Sequence, residues 1–142
     1  MSFDDAVADY PAWAMNQRPP NVVYTPWHLV EHLRITQWDM LEYIRDPVGH
    51  VSPDWPIGYW PAPAAEADEA GFRDSVDAFR ADLRALRAIA EDEGVDIFAV
   101  LEGTPGHTPY RCIRVIGNHN SYHVGEFAAL RQVMGSWQPG RA

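Results

Sequence analysis

Lysine is absent from this chain, and all 11 of its basic residues are arginine, set against 20 acids. The formal charge of -9 creates a field that repels polyanions, which excludes nucleic acid as an expected partner. The exclusive use of arginine implies no mechanism, because exposed sites accept either cation. Cysteine is nearly absent as well. The lone Cys112 rules out an intramolecular disulfide and any cysteine-rich zinc module, and a reducing cytosol suits it. No apolar run approaches the roughly 18 residues of a membrane span. Met1-Ser2-Phe3-Asp4-Asp5 places acids where a secretory signal needs bases. The expectation is a soluble, untargeted, cytoplasmic protein. Internal repeats and low-complexity tracts are also missing.

What is present is ordinary globular material. With 142 residues, 46% hydrophobic and 22% charged, the chain reads as one domain spanning 1–142 with a substantial core. Ser2 followed by Asp5 is a helix start, and Phe3, Ala6, Val7, Tyr10, Trp13 and Ala14 repeat with helical spacing. This predicts a first helix over about 3–16, with Pro11 either kinking it or splitting it in two. Thr25-Pro26 is a cap followed by proline at the first helical position, and Asp46-Pro47 ends the helix that it opens. The inward stripe of that second helix is Leu29, Leu33, Thr36, Met40 and Ile44. Residues 47–63 combine five prolines with Trp55, Tyr59 and Trp60, and read as a stiff aromatic loop that either packs across the bundle edge or touches substrate. A third helix is expected over about 66–92, on Phe72, Val76, Phe79, Leu83, Leu86 and Ala90, with a solvated charged face and Gly94 closing it. The apolar run Val95–Leu101 reads as an extended connection. Thr108-Pro109 then repeats the cap-and-proline signature and opens a fourth helix running to about Gly135. The predicted fold class is all-α, a four-helix bundle with long connecting loops.

The chemistry lies in the fourth helix. Its apolar stripe runs Cys112, Ile116, His119, His123, Phe127, Leu130, Met134, which places two histidines four apart at core positions. Buried imidazoles without partners cost roughly 1–3 kcal/mol each, and one metal ion satisfies both. The third ligand comes from the second helix. His32 leans inward between Leu29 and Thr36, whereas His28, in the first turn, is expected to be more solvated. His32, His119 and His123 thus form a three-imidazole set in a bundle core, with a coordination position left open for water or substrate as in catalytic sites. Imidazole ligation admits zinc, nickel, cobalt, iron or manganese. Glu126, three residues after His123, is the candidate catalytic residue: a base, a partner orienting an imidazole, a fourth ligand, or simply a half-exposed carboxylate one turn along. Asp39, seven residues after His32, either hydrogen-bonds within the site or faces out. Asn120 follows the first histidine where a zincin-type protease needs glutamate, which argues against that class.

Trp27-His28-Leu29-Val30-Glu31-His32-Leu33, together with His119-Asn120-Ser121-Tyr122-His123-Val124-Gly125, resembles the DinB/YfiT-like superfamily over essentially the whole chain. The resemblance implies a four-helix bundle carrying a metal on one histidine of the second helix and two of the last, which fall on His32, His119 and His123. It implies activities ranging from thiol-dependent transferases and isomerases to presumed hydrolases. Members often have glutamine after the glycine of the last motif, where this chain has Glu126. The Trp55-Pro56 and Tyr59-Trp60-Pro61 loop resembles that of a subset of members.

The leading expectation is a metal-dependent hydrolase or low-molecular-weight-thiol S-transferase acting on a small molecule. In it a water, or the thiol of a small cofactor, takes the open position and becomes the nucleophile. The competing readings are a non-catalytic bundle with a structural or sensing metal, and core histidines without metal. A two-fold homodimer is expected, through the 47–63 loop or an outer helix face, with Trp55 and Trp60 as candidate anchors; a loop folded over its own bundle gives a monomer instead.

Overall fold

The computed structural model describes residues 1–138, so the last four positions of the expected 1–142 domain lie outside the described residues. Four α-helices follow in order, α1 (Phe3–Val7), α2 (Pro26–Arg45), α3 (Glu69–Glu91) and α4 (Pro109–Met134), and no strand occurs among the described residues. The first is short. Ser2 and Asp5 form the expected capping box, but Asp9 turns left-handed at φ 50° and Pro11 cannot donate into a continuing helix. The second helical piece is therefore only a 3-10 turn, Ala12–Ala14, and the bundle consists mainly of three long helices.

Those three start on side-chain caps. Thr25, Asp68 and Thr108 each accept an N–H from the first turn, and α2 and α4 carry proline at the first position. Gly135, at φ 63°, supplies the left-handed residue that closes α4. At the end of α3 the expected role of Gly94 is not found: Asp92 is the cap residue, and its carboxylate accepts the Gly94 N–H at 2.8 Å. Nor is Val95–Leu101 extended. It folds into turns closed by Val95 N–H to Asp92 C=O and Ala99 N–H to Asp96 C=O.

The apolar core has two lobes. One joins Leu29, Val30 and Leu33 from the first half of α2 with Phe72, Val76 and Phe79 from the first half of α3 and Val124, Phe127 and Leu130 from the second half of α4. The other joins Leu41 and Ile44, Leu86, and Cys112 and Ile116. This pairing makes α2 and α3 run in the same sense and α4 opposite. The chain after α2 must therefore travel back along the bundle, about 30 Å for a 20-residue helix, before α3 can begin. The Pro- and Trp-rich segment is that crossover, which accounts for its length.

Arg131 of α4 is 1% exposed and closes the first lobe from outside. Its guanidinium donates to the carbonyls of Ala6 (2.7 Å), Ala8 (2.8 Å) and Ser136 (2.8 Å), and lies 3.9 Å from the Trp137 ring centre. It thereby satisfies carbonyls that the short α1 leaves without helical partners. Among the described residues no helix is long and apolar enough to cross a membrane.

Candidate metal centre

Between the two lobes lies a polar layer. Thr36, Gln37 and Asp39 of α2 are buried there, and Asn120 of α4 donates to the Gln37 side chain at 2.7 Å. At its edge the structure brings His32, His119 and His123 together, with one ring nitrogen from each lying within 4.8 Å of the others. His32 and His123 are buried, while His119 is half-buried rather than fully in the core. His28 stays apart from this group, yet it is buried as deeply as His32, contrary to the expectation of a solvated first-turn position. The physical reason is capping. Its Nδ1 accepts the Thr25 N–H at 3.1 Å while the Thr25 hydroxyl accepts the His28 N–H, so the ring folds back onto the helix start.

The outer nitrogens determine the tautomers of two of the three rings. His32 Nδ1 lies 2.7 Å from the carbonyl oxygen of Tyr59, which only accepts, so that nitrogen carries the proton. His123 Nδ1 lies 2.6 Å from Glu126 Oε2 and donates to it in the same way. In the neutral form each of these rings presents a bare Nε2. His32 Nε2 is 3.2 Å from His119 Nε2, and the Thr36 hydroxyl oxygen is 3.5 Å from His119 Nδ1. Burial, the dominant effect, pushes His32 down to about 4, only partly offset by the Tyr59 carbonyl, and it lowers His119 with the help of His123. Burial thus disfavours the charged forms of His32 and His119.

His119 Nε2 faces the bare Nε2 of His32 either as an N–H donor or as a second lone pair, and a cation between them suits the second arrangement. Two nitrogens each bound at about 2.0–2.1 Å to one ion with tetrahedral angles stand about 3.4 Å apart, close to the observed 3.2 Å. The donor set therefore fits a divalent transition ion. Orienting a ligand imidazole through its far nitrogen is the usual way such rings are held.

Around the rings lies an aromatic shell. Trp60 stacks flat on His32, with centroids 3.9 Å apart and planes at 5°, and Tyr24 packs against Trp60 at 5.2 Å. Exposed Tyr122 meets His123 edge-on at 4.5 Å. The Tyr24 hydroxyl donates to Glu126 Oε1, so both carboxylate oxygens of Glu126 are engaged. Burial and that carboxylate raise the Tyr24 phenol well above its ordinary value. Asp39 neither faces out nor touches the three rings; it binds Tyr59 and His50 of the crossover. Tyr24, the Tyr59 carbonyl and His50 were not legible as site residues. Tyr24 acts across 102 positions of sequence, and Tyr59 acts through its main chain. Trp60, read as a dimer anchor, covers His32 of its own bundle, while Trp55 is 78% exposed.

Fold and cluster together define an all-helical bundle with an internal three-imidazole site able to hold a metal ion. A family model described as the DinB superfamily matches residues 1–127, and the chain belongs to that superfamily, which typically binds a divalent metal. Searches of curated proteins and of solved structures returned no match.

Proposed function

We propose that the protein is a metal-dependent enzyme acting on a small molecule, with His32, His119 and His123 as the ligands of a divalent transition ion. The observation that carries this reading is the arrangement of the rings: Tyr59 and Glu126 each accept from the far nitrogen of His32 and His123, and one ring nitrogen from each of the three histidines lies within 4.8 Å of the others. Three neutral ligands leave room for a further group, as in catalytic rather than structural sites. When bound, such an ion supplies Lewis-acid chemistry that makes a water or a small thiol nucleophilic near neutral pH.

The chain's own residues do the rest. Glu126 orients His123, the Tyr59 carbonyl orients His32, and Trp60 shields one face of His32 from solvent. Glu126 is thus an orienting group rather than a free base. Hydrolysis, or S-transfer from a low-molecular-weight thiol, is the reaction class, in the reducing cytoplasm that suits the buried thiol of Cys112. The test is elemental analysis of protein loaded with zinc, nickel, cobalt, iron or manganese, followed by turnover of activated esters without thiol and of electrophiles with thiol. Less than a tenth of an equivalent of every metal after loading refutes the site.

The engagement of both Glu126 oxygens favours one rival, a non-catalytic bundle stapled by its metal. Chelation separates the two. A staple loses several kcal/mol of stability when stripped, whereas a catalytic ion leaves a folded, inactive bundle.

A further inference from the structure

Asp39 stands two helical turns beyond His32 on the same face of α2, and its side chain is almost wholly buried. A buried carboxylate needs strong partners, and it has two. The His50 Nε2–H and the Tyr59 hydroxyl each donate to it at 2.7 Å, one to each oxygen. Both donors belong to the crossover, nine positions apart, so a single side chain of α2 fixes that segment at two points. Trp38 supports the arrangement by meeting the His50 ring edge-on at 5.6 Å.

What the crossover presents at the fixed point bears on the metal centre. The Tyr59 that Asp39 holds by its hydroxyl also offers its carbonyl to His32 Nδ1–H at 2.7 Å, and the next residue is the Trp60 that lies flat on the same ring. The His32 ring is thus confined by an acceptor at one nitrogen and a plane along one face. Both come from two consecutive residues that have no regular secondary structure beyond a single 3-10 turn, Ile57–Tyr59.

We infer that Asp39 is a positioning residue for the metal centre: acting through Tyr59, and with His50 as its second donor, it sets the tautomer and orientation in which His32 meets His119 and His123. This rests on the proposed metal site, and the experiment separates the two. Tyr59→Phe removes only the hydroxyl, and Asp39→Ala removes both acceptor oxygens. Three quantities are measured on each variant and on the double variant: zinc affinity by competition with a chelating indicator, the His32 Nδ1–H signal by nitrogen-15 NMR of the metal-free protein, and thermal melting.

The expected result is roughly 10–100-fold weaker zinc binding in each single variant, the usual effect of losing a group that orients a ligand. The double variant should be no weaker than the worse single one, because both act along one path. The Nδ1–H signal of His32 should be lost or averaged while the bundle still melts cooperatively. Variants that melt earlier yet bind zinc within twofold of the parent and keep the signal overturn the inference and reduce Asp39 to a loop anchor. If the parent itself takes up no zinc, the metal reading fails and the NMR measurement alone decides, loss of the signal supporting the role of Asp39 and retention overturning it. Should Asp39→Ala not fold, Tyr59→Phe decides the matter by the same measurements.

Discussion

Replacing Glu126 distinguishes an orienting carboxylate from a general base. Its Oε2 accepts from His123 Nδ1 at 2.6 Å and its Oε1 from the Tyr24 hydroxyl, with the side chain about one quarter exposed. Alanine removes a charge-assisted bond of roughly 1.5–3 kcal/mol and strands the Tyr24 hydroxyl. Not all of that reaches the metal, since solvent replaces part of it, and an affinity loss of roughly 10–100-fold is expected. Glutamine behaves differently. Its carbonyl still accepts from His123 and its amide donates to the Tyr24 oxygen, so Glu126→Gln should bind metal within several-fold of the parent. Titration against a chelating indicator measures both variants, with cooperative melting as the control for folding. A base predicts another pattern, in which both substitutions abolish turnover while metal affinity stays put. Glu126→Ala binding zinc within twofold of the parent would falsify the orienting role.

Two further outcomes follow from the geometry. His28 is buried and its Nδ1 must stay unprotonated to accept the Thr25 N–H; burial lowers its pKa below the ordinary 6.5, against the pull of the Ala62 and Ala65 carbonyls and helped by Arg18. The unfolded chain therefore binds more protons than the folded one below 6.5, so this stabilisation is complete above that pH and is lost as pH falls. His28→Gln, which keeps a capping box without a titrating group, should flatten the fall in urea midpoint between pH 7.5 and 5.5, and parallel curves for the two proteins contradict it. For assembly, exposed Trp55 is the remaining aromatic anchor of a proposed homodimer; sedimentation at micromolar concentration should give twice the 16.0 kDa chain mass and revert to that mass in Trp55→Ala, and a parent already at the chain mass refutes the dimer.

The long helices were legible because their starts are written locally. Thr25-Pro26 and Thr108-Pro109 need no tertiary information to cap a helix, and the three-four spacing of Phe72, Val76 and Phe79 faces a core whatever the core contains. The failures have the opposite character. Apolar periodicity carries on through Tyr10 and Trp13, but Pro11 and the left-handed Asp9 interrupt the backbone, so those side chains extend from turns rather than from a helix. Arg131 reads from its letter as a solvated cation of the last turn. Its burial depends on carbonyls of Ala6 and Ala8 that are more than 120 positions away, which no local pattern encodes.

The same division runs through the site. Spacing alone brings His119 and His123 to one face, and the inward stripe of α2 selects His32 over His28, although His28 is buried just as deeply. What holds the imidazoles is another matter. Tyr59 contributes a main-chain oxygen, which any residue possesses, and Trp60 contributes a ring whose partner is decided by where the crossover passes. Yet the passage follows from topology. With α2 and α3 running in the same sense, the connecting segment must recross the bundle along its length, and a segment so placed passes the middle of α2, where the polar layer interrupts the two apolar lobes. Buried polar groups there require partners, and the crossover, whose backbone is mostly outside helices, supplies them through Tyr59 and His50. The loop is part of the metal centre for the same reason that it is long.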